Sequence, residues 1–229
     1  MHKNTLALLL SIIFLQACAT SPQTPISVNP QFWEPSNKKV IVVVDEIPST
    51  TVAVPGAECL LCLAAARGVV SGVTKHFESL VPDELQTLSK DLIETLRQRG
   101  ITAGLVRDPL VFNDLPKFGK SDIPSPRRDF RTFAEKHNAS HILFVDINQQ
   151  GAQRSFANYV PTEQPSAIVR GEAMLINAST NAYEWYLPID NTQTATGKWK
   201  EPPNYPGLTN AYFQVIARTK DQILSALGK

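Results

Sequence analysis

Val40-Ile41-Val42-Val43-Val44-Asp45 is the stretch that decides the fold of this 229-residue chain. Five β-branched apolar residues in a row leave no polar face, so the strand they form has to be covered on both sides. That makes it a central strand of a sheet, closed by Asp45, with helices packed against it.

Working outward toward the C-terminus, Thr50 to Val54 reads as a second strand ending at the turn signal Pro55-Gly56. Glu58 to Leu80 reads as a helix with a very apolar first half, weakened at Gly68 and Gly72. Pro82-Asp83-Glu84 opens the clearest helix, because proline and acids suit a first turn whose amides are free and whose dipole favours negative charge. Leu85, Leu88, Leu92, Ile93 and Leu96 form one stripe at helical spacing, Gly100 stops the helix, and Ile101 to Val106 follows as a short strand. Residues 107–128, with Pro109, Pro116, Pro124, Pro126 and several Lys and Arg, read as a long surface loop. A short helix over Asp129 to His137 precedes the strand Ser140 to Ile147, which also calls for burial on both faces. Arg154 to Val160, Ala167 to Asn177 and Ala182 to Leu187 are β-rich with short links, the pattern of an antiparallel meander. Residues 188–207 read as irregular, and Leu208 to Leu227 as a closing amphipathic helix. The expected class is α+β (mixed α/β): a twisted mixed sheet of about five to six strands with helices packed on it and the C-terminal helix closing the domain.

Working outward toward the N-terminus, residues 19–38 carry Pro22, Pro25, Pro30 and Pro35 among polar residues, too little apolar surface for a core. They read as a tether whose end Phe32 and Trp33 dock; about 20 residues extend on the order of 65 Å. Before them, Lys3, the apolar run Leu6 to Leu15 and Leu15-Gln16-Ala17-Cys18 resemble a bacterial lipoprotein signal with its lipobox. The resemblance implies cleavage before Cys18, diacylation of its thiol and acylation of the new amino group, hence a lipid bilayer as partner without a spanning helix. Ala19 in place of Asp after the cysteine implies the periplasmic face of the outer membrane. The expected organisation is a signal peptide at 1–17, lipidated Cys18 and tether at 18–38, and a single globular periplasmic domain at 39–229.

Lys and Arg number 22 against 21 Asp and Glu, so the basic excess that phosphate backbones require is missing and no nucleic-acid partner is expected. The 43% apolar and 19% charged content fits a folded domain.

The order of these elements, from lipobox and Pro-rich tether through Val40 to Asp45, Asp83 to Val106, His141 to Asp146 and a later hairpin, resembles the periplasmic lipoproteins of the CsgG, LpoB and PelC type. The segments Pro55-Gly56-Ala57-Glu58-Cys59-Leu60-Leu61-Cys62, Tyr183-Glu184-Trp185-Tyr186, Glu201-Pro202-Pro203 and Pro206-Gly207-Leu208-Thr209-Asn210-Ala211-Tyr212 are similar to proteobacterial outer-membrane lipoproteins without an assigned activity. These readings imply a non-enzymatic protein-binding or assembly module of the cell envelope, its partner another envelope protein or a further copy of itself, with no cofactor and no metal.

Cys59 and Cys62 are the one pair with reactive potential. A strand, Pro55-Gly56 and then Cys59 resemble the arrangement that puts a redox cysteine at a helix N-terminus, where free amides stabilise thiolate. Against a periplasmic thiol-disulfide function, Leu60-Leu61 and Leu63 point to a buried apolar face, and Glu58 opposes a thiolate. A structural disulfide and buried free thiols are the other readings. Zinc would need four ligands, and the two cysteines with His76 supply three. His137 and His141 are separated by a helix end and a strand start.

No nucleophile elbow, phosphate loop or dinucleotide fingerprint occurs, and Asp45-Glu46 and Asp83-Glu84 are explained by a strand end and a helix start. Trp185, Tyr186, Trp199 and Tyr205, with Tyr183 and Tyr212, are candidates for a partner-binding surface, since Trp and Tyr dominate hot spots. Strand alternation puts Tyr183 and Trp185 on one face and Tyr186 on the other, so part of this cluster belongs to the core. Loops 107–128 and 188–207 are the favoured contact regions.

Overall fold

The computed structural model describes residues 22–34, 37–107 and 110–228; the signal segment and Cys18 lie outside them. The strands are β1 (Lys39–Val44), β2 (Thr51–Ala53), β3 (Thr102–Leu105), β4 (His141–Gln153), β5 (Phe156–Ala157), β6 (Val160–Pro161), β7 (Ser166–Asn177) and β8 (Tyr183–Thr194). The main sheet runs β3-β1-β4-β7-β8, with β2 paired to the far end of β4. β1 is parallel to both neighbours, Val40 lying opposite Ala103 on one side and His141 on the other. β4, β7 and β8 form an antiparallel meander; Ala167 to Asn177 and Ala182 to Leu187 take part in it as expected, but their first partner is β4, and the segment Arg154 to Val160 instead contributes to the separate small β5-β6 hairpin.

The apolar run works as its composition requires. Val40 and Val42 enter one core with Leu143, Val145, Leu175 and Trp185. Ile41 and Val43 enter a second core on the other face with Ile142, Phe144, Met174 and Ile176. The first core is covered by α1 (Leu60–Phe77), α2 (Asp83–Gln86), α3 (Leu88–Gln98) and α5 (Pro206–Gly228). The second is covered by α4 (Arg131–Lys136), by Phe130 at its N-terminal end and by Leu110 from the long loop. Leu85, Leu88, Leu92 and Leu96 are all fully buried, although the helix expected from Pro82 breaks at Thr87 into α2 and α3.

Two strands outrun their apolar signal. β4 continues past Ile147 through a bulge at Asn148 and on to Gln153, and β8 continues past Leu187 to Thr194. Both extensions are polar on one side yet keep their ladders, and residues 188–194 therefore belong to the sheet rather than to an irregular stretch.

The described part of the segment read as a tether is packed on the domain. Asn29 donates its amide to Glu184 O at 3.2 Å, Ile26 bridges to Tyr186, and Phe32 is buried in the first core with its ring 5.2 Å from that of His141. Phe32 anchors more chain than its own turn because Ile26 and Val28 also find apolar surface.

Candidate functional site

The most distinctive surface starts where β2 turns at Pro55-Gly56 into α1. Gly56 has φ +83°, and a Cβ there would meet Phe156 O at 1.9 Å, so the turn is pressed against the β5-β6 hairpin. Cys59 caps α1: its Sγ accepts the Cys62 amide at 2.9 Å, and the two cysteines are joined by a disulfide. Cys59 is exposed, whereas Cys62 is buried with its Sγ 3.9 Å from Asn158 Oδ1 in the hairpin.

The expectation that Leu60 and Leu61 form a buried face is corrected. α1 buries one narrow stripe, Cys62, Ala66, Val70, Val73 and Phe77, whose spacing by threes and fours points a single side at the sheet and hairpin. Leu60 and Leu61 lie on the other side of the first turn and are 87% and 83% exposed. Ala64, Ala65, Gly68 and Val69 continue this uncovered apolar face, and Tyr159 and Val160 at the hairpin tip are exposed beside its N-terminal end. Apolar patches of this kind on otherwise polar surfaces mark sites of contact.

The cysteines and histidine considered together in the sequence do not meet. His76 sits in the last turn of α1, about 21 Å along the axis from Cys62 at 1.5 Å per residue, and bonds Thr209 Oγ1 at 2.8 Å. Among the described residues no cluster of His, Cys, Asp or Glu has the arrangement of a metal site.

The aromatic candidates are corrected as well. Trp185 is fully buried in the first core, Tyr186 is buried in the second, and Trp199 is buried with the Arg154 guanidinium 4.9 Å from its ring. Tyr205 packs its hydroxyl against Gly72 and its ring 5.7 Å from that of His76, holding the 195–205 loop onto α1. Trp185 and Tyr186, in a strand between two covered cores, are taken up by those cores, Trp199 is buried in the loop that follows, and Tyr205 is half-buried. The alternation is also broken. Leu175 pairs with Trp185 and Ile176 with Tyr183, leaving Glu184 as the extra residue of a bulge. Tyr183 and Tyr186 therefore share a face, with ring centroids 5.0 Å apart.

Beside those two tyrosines lies a group of carboxylates that sequence reasoning missed. Asp146 and Glu172 are register partners on β4 and β7, and the Tyr186 hydroxyl donates to Glu172 Oε2 at 2.8 Å. Burial raises the Asp146 carboxyl to about 6, helped by the charges of Asp45 and Glu172. Burial also raises the Tyr183 and Tyr186 hydroxyls, so both stay protonated at neutral pH. A single acid at an inward position of an apolar strand, as in Phe144-Val145-Asp146-Ile147, was the available signal.

No family model matches the chain, and no curated protein matches it. Among solved structures, the PelC dodecamer of Paraburkholderia phytofirmans is 13% identical, with 86% of this chain and 95% of that one covered and a TM-score of 0.34. A Xanthomonas campestris protein of the DUF330 family is 11% identical over 90% and 94% of the two chains, TM-score 0.39. A Neisseria meningitidis lipoprotein is 12% identical over 79% and 99%, TM-score 0.28.

Proposed function

We propose that the chain is an envelope lipoprotein, acylated at Cys18 and held at the periplasmic face of the outer membrane, which acts as a non-enzymatic protein-binding or assembly module. The observation that carries the contact reading is the uncovered apolar face of α1. Leucines exposed to this extent on a well-packed helix lose hydrophobic stabilisation unless another surface covers them. Ala64, Ala65 and Gly68 let a partner backbone approach closely, and the disulfide fixes the first turn that presents Leu60 and Leu61. Among the described residues no helix is long and apolar enough to cross a membrane, which fits attachment through acyl chains.

The test has two arms. Fatty-acid labelling and vesicle flotation of the full chain and of Cys18→Ser address the anchor, labelling of the variant being the result that removes it. Sizing of the detergent-solubilised chain and of the pair Leu61→Asp with Val69→Asp addresses the contact face. The wild type should run as a complex that the exposed-site variants dissociate; identical monomer sizes for all three would end the assembly reading.

A further inference from the structure

We propose that the loop 117–127, next to the point where the chain enters the fold, rests on the anionic bilayer surface that holds Cys18; this rests on the acylation reading above. Three residues lie between Cys18 and Pro22, and the four Cα–Cα steps limit their separation to about 14 Å. Slack is not recovered further along, because Ile26 and Asn29 are bonded to β8 and Phe32 is buried. The domain therefore cannot stand off the bilayer as a long tether would allow, and the surface around Pro22 and Gln23 has to meet it.

That surface is the loop. Gln23 lines a shallow groove of about 480 Å³ with residues from Phe118 to Arg127. Lys117, Lys120 and Arg127 are exposed there against the single acid Asp122, and Ile123 projects between them, 57% exposed. Basic side chains are drawn to anionic headgroups within a Debye length, and an exposed apolar residue among them finds the interfacial layer. The loop is already formed: Phe118 donates its amide to Arg127 O at 2.8 Å, Asp129 to Pro116 O at 2.8 Å, and Tyr183 to Pro124 O at 3.0 Å. Binding thus orders little new chain. Leu110, Phe112 and Leu115, which lead into the loop, and Phe130, which follows it, pack on the sheet face opposite the one that Val73 and Phe77 of α1 enter, so membrane contact through the loop leaves the α1 face open to the periplasm.

The test uses the acylated mature chain with a nitroxide on Ile123→Cys, reconstituted on vesicles of phosphatidylethanolamine and phosphatidylglycerol. The label should become shielded from a water-soluble nickel relaxant and accessible to oxygen, while a label on Glu94→Cys stays in water. Reversing Lys117, Lys120 and Arg127 to Glu should leave flotation intact and return the Ile123 label to water. A chain that floats with its label as exposed as in the soluble Cys18→Ser protein overturns the docking and keeps the anchor. Failure to float removes both. Shielding that persists after charge reversal and on phosphatidylcholine vesicles assigns the loop to a protein contact and overturns the proposal.

Discussion

Ile26 and Tyr186 exchange both backbone hydrogen bonds, the Ile26 amide to Tyr186 O at 2.9 Å and the Tyr186 amide to Ile26 O at 3.0 Å. The edge of β8 is thereby closed at this point by residues that precede the first strand. With Phe32 only 2% exposed, the segment behaves as part of the fold. Phe32→Ala should cost about 3–5 kcal/mol in urea unfolding, as buried phenylalanines do. A loss within about 0.5 kcal/mol, the level of a surface change, would return the segment to the status of a free linker.

Asn181 is fully buried with φ +58°, accepts the Phe130 amide at 2.9 Å and donates to Arg128 O at 2.9 Å. It fastens the end of the long loop to the β7-β8 turn. Asn181→Gly preserves the backbone conformation and removes both bonds, leaving a buried amide and carbonyl unpaired. A loss on the order of 2–4 kcal/mol is expected in the denaturation midpoint. An unchanged midpoint would mean that the loop is held elsewhere.

Asp146 gives a pH dependence of defined sign. Its carboxyl is raised from 3.8 to about 6, so the folded chain holds the proton more tightly than the unfolded chain. Unfolding releases that proton between the two values, and this group's contribution makes stability fall as pH rises through the window and level off above about 6. Asp146→Asn keeps the shape without the charge. Relative to wild type it should be more stable at about pH 7 and gain nothing at about pH 3.5. An equal difference at both values would contradict the assignment.

The Cys59–Cys62 disulfide closes a very short loop, for which the chain-entropy estimate is about 2 kcal/mol. Reduction should lower the urea midpoint modestly and leave the fold in place. After reduction, Cys59 should alkylate quickly and the buried Cys62 slowly. Equal rates in the folded state would mean that the hairpin does not cover Cys62.

The parts of the fold readable from sequence are those where burial is uniform. Val40 to Val44 and Ile142 to Val145 have no polar face, and Leu85 to Leu96 keeps one stripe, so burial and element type follow together. Legibility fails where a strand is covered unevenly. Gln149 to Gln153 and Asp190 to Thr194 stay in the sheet through ladder bonds that side chains do not announce. The bulge at Glu184 shifts Tyr183 onto the face of Tyr186, a one-residue change that alternation cannot foresee. The candidate contact face was hidden for the opposite reason. Leu60 and Leu61 carry the composition of a core, and only the placement of α1 leaves them outside.

The most direct measurement of the central claim is photocrosslinking in living cells from a reactive residue at Leu61 or Val69 of the acylated full chain, with Glu94, exposed on α3, as the control position. The α1 positions should yield one adduct of reproducible mass, another copy or one other envelope protein, and Glu94 should yield none. Uncrosslinked chain at all three positions, or the same diffuse adducts from each, would contradict a docking role for the α1 face.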